Sequence, residues 1–197
     1  MTTVVWDTKI LAADTCHRVA RNTYGEDADK IFVSSKKVLF EGSELIAAAG
    51  SGNVSMLSDW WKYICESPCS ADELKEKMRK QISGNLGTHA FLILTVDKCF
   101  KIEASSKKAT SSDVTDIPAA IGSGGDSALP LLIQKFGVFT AIARAARMDR
   151  ENTNAKITWI SREPGSTTKY ASFLQIAWAR CQETWLRLST SRYIWKR

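Results

Sequence analysis

The chain begins with MTTVVWDTKILAADT, residues 1–15, in which two short apolar runs lie on either side of a turn at residues 7–9. β-Branched and apolar residues bounded by turn-forming residues predict two short strands. That hairpin would bring the Asp14 carboxylate back toward Thr2. Removal of Met1 would give Thr2 a free α-amine beside its own hydroxyl. An amine with an ordinary pKa near 8 can serve as the base for that hydroxyl, so the stretch predicts an N-terminal nucleophile.

A threonine pair after an initial methionine is common, so the prediction depends on segments further along the chain. Lys30 opens another strand-like run, about sixteen residues after Asp14. Gly50 ends an apolar run, Leu45-Ile46-Ala47-Ala48-Ala49, that turns into a helical pattern. Ser123 lies in Gly122-Ser123-Gly124-Gly125-Asp126, again between a strand-like run and a helix. A single glycine-serine turn is weak evidence, but four such segments in this order and spacing are strong evidence together.

These segments resemble the proteasome β-subunit family, which includes the bacterial HslV peptidase and shorter phage-encoded relatives, over about residues 2–163. The resemblance implies an α+β fold of the Ntn-hydrolase type, a four-layer αββα sandwich of two antiparallel sheets flanked by helices. It also implies a threonine-type peptidase or amidase that forms an acyl-enzyme on Thr2 and needs no cofactor. Lys30 would supply a positive charge beside Thr2, and Asp14 would hold that charge. The Gly50 N–H would face the oxyanion, and Ser123 would join the hydrogen-bond network.

The chain departs from the family pattern at two places. Asp149 fits the family's second aspartate, but Asn152 replaces the serine expected three residues later. Asparagine still donates and accepts hydrogen bonds, so the network can survive. Arg18 lies where the family keeps small residues beside the substrate, so it would alter or obstruct the substrate groove. These departures leave a second function open, a catalytically idle proteasome-fold subunit that binds or assembles.

A cysteine nucleophile at Cys16-His17 is the less favoured chemistry, because adjacent residues of a strand point to opposite faces. Two cysteines four residues apart, Cys65 and Cys69, have no second Cys/His pair at a suitable distance, so we expect no metal site. Reduced thiols are the default for five scattered cysteines in a chain without a secretion signal.

The order of elements predicts the fold independently of the motifs. Antiparallel sheets covered by helix pairs are the expected arrangement, because runs of strands are interrupted by pairs of helices. The predicted strands lie at about 3–6, 9–13, 30–34, 38–41, 44–49, 89–96, 98–104, 118–121 and 156–160. The predicted helices lie at about 53–66, 71–83, 126–135, 138–148 and 169–189.

Composition indicates one globular domain, residues 1–197, because 44% hydrophobic and 24% charged residues are ordinary values and no compositional break occurs. Neither a membrane-spanning run nor a signal-peptide pattern is present, so we expect a cytoplasmic protein without membrane partners. No phosphate-binding G-x-x-x-x-G-K-[ST] motif occurs, so an ATPase unfoldase would have to be a separate partner.

Residues 169–197 form a basic, tryptophan-rich helix and tail in a chain of net charge +6. Apolar residues recur there every three or four positions, which predicts an amphipathic helix packed on the core. Subunit contacts are the alternative for this stripe, since the family works as homo-oligomeric rings or stacked rings. Basic and aromatic residues alternate here, but no nucleic-acid recognition motif accompanies them, so we expect no nucleic-acid partner. The resemblance to the family implies a peptide or protein substrate.

Overall fold

A computed structural model describes residues 2–20, 23–27, 30–82, 87–149 and 156–194, with only the backbone given for 17–20, 23–27 and 189–194. The strands in this part of the chain are β1 (Val4–Trp6), β2 (Ile10–Asp14), β3 (Cys16–Ala20), β4 (Thr23–Asp27), β5 (Ile31–Val33), β6 (Leu39–Phe40), β7 (Ser43–Ser51), β8 (His89–Thr95), β9 (Cys99–Ala104), β10 (Ala109–Asp113), β11 (Ala119–Ile121), β12 (Ile157–Ser161) and β13 (Lys169–Tyr170). The helices are α1 (Val54–Glu66), α2 (Ala71–Gln81), α3 (Gly125–Ile133), α4 (Val138–Met148) and α5 (Phe173–Ile194).

The strands form two antiparallel sheets, so the fold is α+β as expected. The first sheet has the order β11-β1-β2-β12-β13. The second has the order β10-β9-β8-β7-β5, with β6 paired to the start of β7. Strands β3 and β4 pair with each other as a separate two-stranded ribbon.

A hydrophobic cluster between the two sheets forms the centre of the core. Side chains on β1 alternate, so Val4 and Trp6 join this cluster while Val5 faces the opposite side. Buried residues from the second sheet, including Leu92 and Leu94, complete the cluster. The Trp6 indole N–H donates to the Val114 carbonyl at 3.0 Å, which satisfies its one polar atom.

Helices α1 and α2 cover the outer face of the second sheet. Leu57, Trp60, Ile64, Leu74 and Met78 are all buried in a second hydrophobic cluster, between these helices and the sheet. Helix α2 begins with a capping box: the Ser70 hydroxyl accepts from the Glu73 N–H, and the Glu73 carboxylate accepts from the Ser70 N–H. Helices α3 and α4 cover the outer face of the first sheet through Ala128, Leu132, Val138, Ala141 and Ile142.

Three features differ from the sequence-based expectation. The helix predicted at 169–189 begins later, at Phe173, because Lys169–Tyr170 pairs with β12 as strand β13. The β3–β4 ribbon and strand β10 were not predicted, because their residues lack an apolar alternation; β10 is Ala-Thr-Ser-Ser-Asp at a sheet edge. The apolar stripe of α5 was expected in the core, but Leu174, Trp178, Trp185 and Leu188 are exposed, so that prediction is wrong.

Among the described helices, none combines the length and the apolar character that a membrane crossing requires.

Candidate active site

Three strand ends of the first sheet meet at Thr2. Val4 pairs with Ala13 of β2 on one side and with Ile121 of β11 on the other. Continuing the two antiparallel registers places Thr3 between Asp14 and Gly122, with Thr2 one residue further along. The Asp14 N–H donates to the Thr3 carbonyl at 3.1 Å, so the β1–β2 ladder does extend to this pair. Thr2 is therefore held at the end of the central strand of three, and it is buried.

Gly122 fits against the Thr2 backbone in a way that excludes any side chain. It has φ +89°, in the left-handed region that favours glycine. A Cβ added there would lie 1.7 Å from the Thr2 carbonyl oxygen and 3.0 Å from the Ser51 hydroxyl oxygen. Ser51 is the last residue of β7, so this contact joins the second sheet to the site. The glycine turn after β11 thus brings both sheets together at Thr2.

The Asp14 carboxylate is the centre of a buried hydrogen-bond network. It is fully buried, and its Oδ1 accepts from the Thr3 N–H at 2.6 Å. Its Oδ2 accepts from the Cys16 N–H at 2.9 Å and from the Lys30 ammonium at 3.0 Å. One carboxylate therefore connects the lysine to the peptide bond that joins Thr2 and Thr3.

Burial controls the electrostatics of this pair. Lys30 is only 8% exposed, and burial lowers its pKa below the ordinary lysine value, while Asp14 opposes that shift. Burial likewise raises the pKa of Asp14, against the attraction of Lys30 and the two backbone N–H donors. Buried lysines with a lowered pKa occur both in catalytic sites and in structural ion pairs.

Gly50 lies beside Lys30 because of the β5–β7 register. Ile31 pairs with Ala49, so the next residues outward are Lys30 on one strand and Gly50 on the other. A Cβ at Gly50 would lie 2.7 Å from the Leu57 side chain of α1 and 2.9 Å from the Phe91 ring of β8, so a larger residue there would displace one of them. The predicted oxyanion donor and the predicted lysine thus share one end of the second sheet.

Ser123 and Asp149 are brought together from distant parts of the chain. The Ser123 hydroxyl, in the turn before α3, donates to Asp149 Oδ2 at 2.5 Å. Asp149 follows the last residue of α4, and its N–H donates to the Ala145 carbonyl at 2.7 Å. The site therefore includes the ends of α3 and α4, next to the turn that holds Gly122.

The structure describes only part of one of the two residues that depart from the family pattern, and none of the other. The backbone of Arg18 belongs to β3 and pairs with Tyr24, but its side chain lies outside the described atoms. Asn152 lies outside the described residues altogether. The expected effect of Arg18 on the substrate groove therefore stays a prediction.

Sequence reasoning missed three residues of the site. Thr3 and Cys16 act through backbone N–H groups that bind Asp14, which no side-chain pattern signals. Ser51 is buried beside Gly122, and only its place in the Gly50-Ser51-Gly52 turn could have indicated it. Burial raises the pKa of the Cys16 thiol, with a further contribution from Asp14, which disfavours the thiolate that a cysteine nucleophile needs.

Neither a scan against protein-family models nor a search of curated proteins gives a match to this chain.

Proposed function

We propose that this chain is a threonine-type peptidase or amidase of the proteasome β-subunit kind, with the four-layer αββα Ntn-hydrolase fold and a cytoplasmic setting. The buried Asp14–Lys30 pair, hydrogen-bonded to the amide that follows Thr2, is the observation that carries the proposal. A buried ion pair is costly unless it is well satisfied, and here it lies directly at the end of β1.

In the first step, Thr2 Oγ attacks the carbonyl carbon of the scissile amide while the Thr2 α-amine accepts the hydroxyl proton. The carbonyl oxygen becomes an oxyanion that the Gly50 N–H would stabilise, and such a donor typically contributes about 3 kcal/mol. The Lys30 charge, close to Thr2 through Asp14, lowers the pKa values of the hydroxyl and the amine.

In the second step, the C–N bond breaks and the protonated α-amine returns its proton to the leaving amine. The substrate acyl group is then an ester on Thr2 Oγ. A water molecule attacks this ester while the α-amine again accepts a proton, and Thr2 is restored as the carboxylic acid leaves. The net reaction is hydrolysis of one amide bond.

Ser123 would orient the base. Because its hydroxyl proton is donated to Asp149, the Ser123 oxygen can accept a hydrogen bond from the Thr2 amine or from a water between them. Asp149 thus acts as a positioning residue for Ser123.

The mechanism requires that the Thr2 nitrogen be a free amine. A peptide bond at that nitrogen would remove its basic lone pair, so Met1 must be cleaved before the site can work. Thr2→Ser keeps a hydroxyl and an amine at the same position, whereas Thr2→Ala keeps only the amine.

The test compares amide hydrolysis and labelling by a peptide vinyl sulfone in the wild type, Thr2→Ala and Thr2→Ser. Thr110→Ala, at an exposed threonine of β10, is the matched control. We expect loss of turnover and labelling in Thr2→Ala, partial activity in Thr2→Ser and no change in the control. Labelling that survives in Thr2→Ala would overturn the proposal.

A catalytically idle binding or assembly subunit is the second candidate, and the exposed apolar face of α5 favours it. It predicts that Met1 is retained and that Thr2→Ala has no consequence. In either case, the resemblance to the family favours homo-oligomeric rings, and an active ring would take unfolded protein from a separate ATPase. Turnover that depends on Thr2 would exclude the idle candidate.

A further inference from the structure

Helix α5 docks on its own domain through a polar face. Its Glu183 is buried and pairs with Arg144 at 2.9 Å and Arg147 at 3.0 Å, both on α4. Gln182 accepts a hydrogen bond from the Thr140 hydroxyl at 2.6 Å. Ala179 is also buried, and Ile176 and Leu186 are half-buried. The side of α5 that faces the protein is therefore anchored by an ion-pair cluster and a hydrogen bond, with smaller apolar contacts.

The opposite side of α5 carries the large apolar residues, which is the reverse of an ordinary surface helix. We call this set the outer stripe: Leu174, Trp178, Cys181, Trp185 and Leu188. Leu174 is 77% exposed, Trp178 67%, Trp185 64% and Leu188 53%. Cys181 is also exposed.

The outer stripe has the spacing of a helix-pairing seam. Its members follow one another at intervals of four, three, four and three residues. This is the alternation of a and d positions in a coiled coil, which presents one continuous ridge to a partner helix. The positions beside the seam are Gln175, Ala177, Gln182 and Thr184, so no charge borders it directly.

The stripe is large enough for a stable interface. Taking ~200 Å² for each aromatic side chain, the exposed parts of Trp178, Trp185 and the adjacent Phe173, which is 83% exposed, present about 430 Å², to which the two leucines and Cys181 add. A standard protein–protein interface buries ~800 Å² on each partner. Two copies of the stripe against each other would approach that size.

The stripe is also complementary to itself when reversed. Cys181 lies at its centre, with leucines seven residues before and after it and tryptophans three and four residues away. In an antiparallel pair with twofold symmetry, leucine meets leucine, tryptophan meets tryptophan and Cys181 meets its own copy. A symmetric interface requires this kind of self-complementarity.

Charge does not oppose this pairing. Arg180 and Arg187 lie outside the positions that border the seam, so two copies can approach without bringing like charges together. We propose that α5 is a self-association surface, and that a second copy of this chain covers the outer stripe by antiparallel pairing of the two helices about Cys181.

Light scattering during size-exclusion chromatography tests the pairing by molar mass. We expect the double variant Trp178→Glu/Trp185→Glu to have half the molar mass of the wild type, because four carboxylates would be buried in the seam. Ile117→Glu is the matched control, since Ile117 is 57% exposed but lies between β10 and β11, and it should keep the wild-type mass. Equal masses for the double variant and the wild type would overturn the proposal.

Cross-linking tests the register without disturbing the fold. Copper-phenanthroline with oxygen should oxidise two Cys181 thiols of the wild type to one intermolecular disulfide, seen as a dimer on a non-reducing gel. Cys181→Ser should give no dimer, whereas Cys65→Ser should give as much as the wild type. A wild type that stays monomeric on the gel, or a dimer that persists in Cys181→Ser, would contradict antiparallel pairing about Cys181.

Discussion

Asp14→Asn should destabilise the fold strongly, because it removes one charge from a buried pair while keeping the shape of the side chain. The carboxylate accepts three hydrogen bonds, one at Oδ1 from Thr3 and two at Oδ2 from Cys16 and Lys30. An asparagine has one acceptor oxygen, so its NH₂ group must face a donor that it cannot satisfy. Lys30, at 8% exposure, would also lose its counter-charge.

Breaking a buried ion pair by removing one partner costs about 3–5 kcal/mol. The low exposure of both side chains means that water cannot screen the lost interaction. For a chain of this length, 1 kcal/mol moves the melting temperature by about 2–4 °C. We therefore expect the free energy of unfolding to fall by about 3 kcal/mol and the melting temperature by roughly 6–12 °C.

The loss should become smaller as pH rises. Burial lowers the pKa of Lys30 in the native protein, and Asp14→Asn removes the attraction that opposes this shift. The pKa of Lys30 therefore falls further in the variant. At pH values between the pKa of Lys30 in the variant and its pKa in the wild type, the folded variant binds fewer protons than the unfolded chain does. The free energy of unfolding of the variant therefore rises with pH. Its deficit relative to the wild type becomes smaller over this pH range.

Urea unfolding at pH 7 and pH 9 measures both effects. Glu76→Gln is the matched control, because Glu76 pairs with Arg79 at 2.8 Å on the exposed face of α2 and should contribute little. The reasoning would be refuted if Asp14→Asn cost no more than Glu76→Gln at pH 7. It would also be refuted if the loss in Asp14→Asn grew at pH 9.

Two further predictions concern the packing of single residues. Gly122→Ala should abolish activity and destabilise the fold in thermal unfolding, since its Cβ would lie 1.7 Å from the Thr2 carbonyl oxygen; Gly165→Ala, at φ +75° with open space around it, should cost only about 1–2 kcal/mol. Equal losses of stability in Gly122→Ala and Gly165→Ala would contradict the close approach of Gly122 to the Thr2 carbonyl oxygen. In the double variant Trp178→Glu/Trp185→Glu, whose outer stripe is uncovered, iodoacetamide at pH 8 should modify Cys181 and leave Cys69 unmodified, because burial raises the pKa of Cys69 to about 11; mass spectrometry that finds Cys69 modified would contradict this prediction.

Local sequence patterns were sufficient to predict much of the fold. The apolar faces of α1 and α2, the Ser70 cap and the β8–β9 hairpin follow from periodicity and capping residues, which act within a few positions. The approach of Asp14 to the Thr2–Thr3 peptide follows from one short hairpin. Lys30 and Ser123 were placed by resemblance to the family, because neither has a local signal for its partner.

The remaining features depend on contacts between distant segments. The spacing on α5 correctly predicts a stripe, but not the side of the helix that faces the domain. That choice is set by Arg144 and Arg147 of α4, which bind Glu183 on the other side. Similarly, the contact of Ser51 with the Gly122 turn exists only once the two sheets are packed.

The free α-amine of Thr2 is the central requirement of the proposed chemistry, and tandem mass spectrometry of the probe-labelled protein tests it most directly. The N-terminal peptide should begin at Thr2, without Met1, and carry one vinyl sulfone adduct on the Thr2 side chain. An N-terminal peptide that retains Met1, or an adduct on Cys16 in place of Thr2, would contradict a threonine nucleophile.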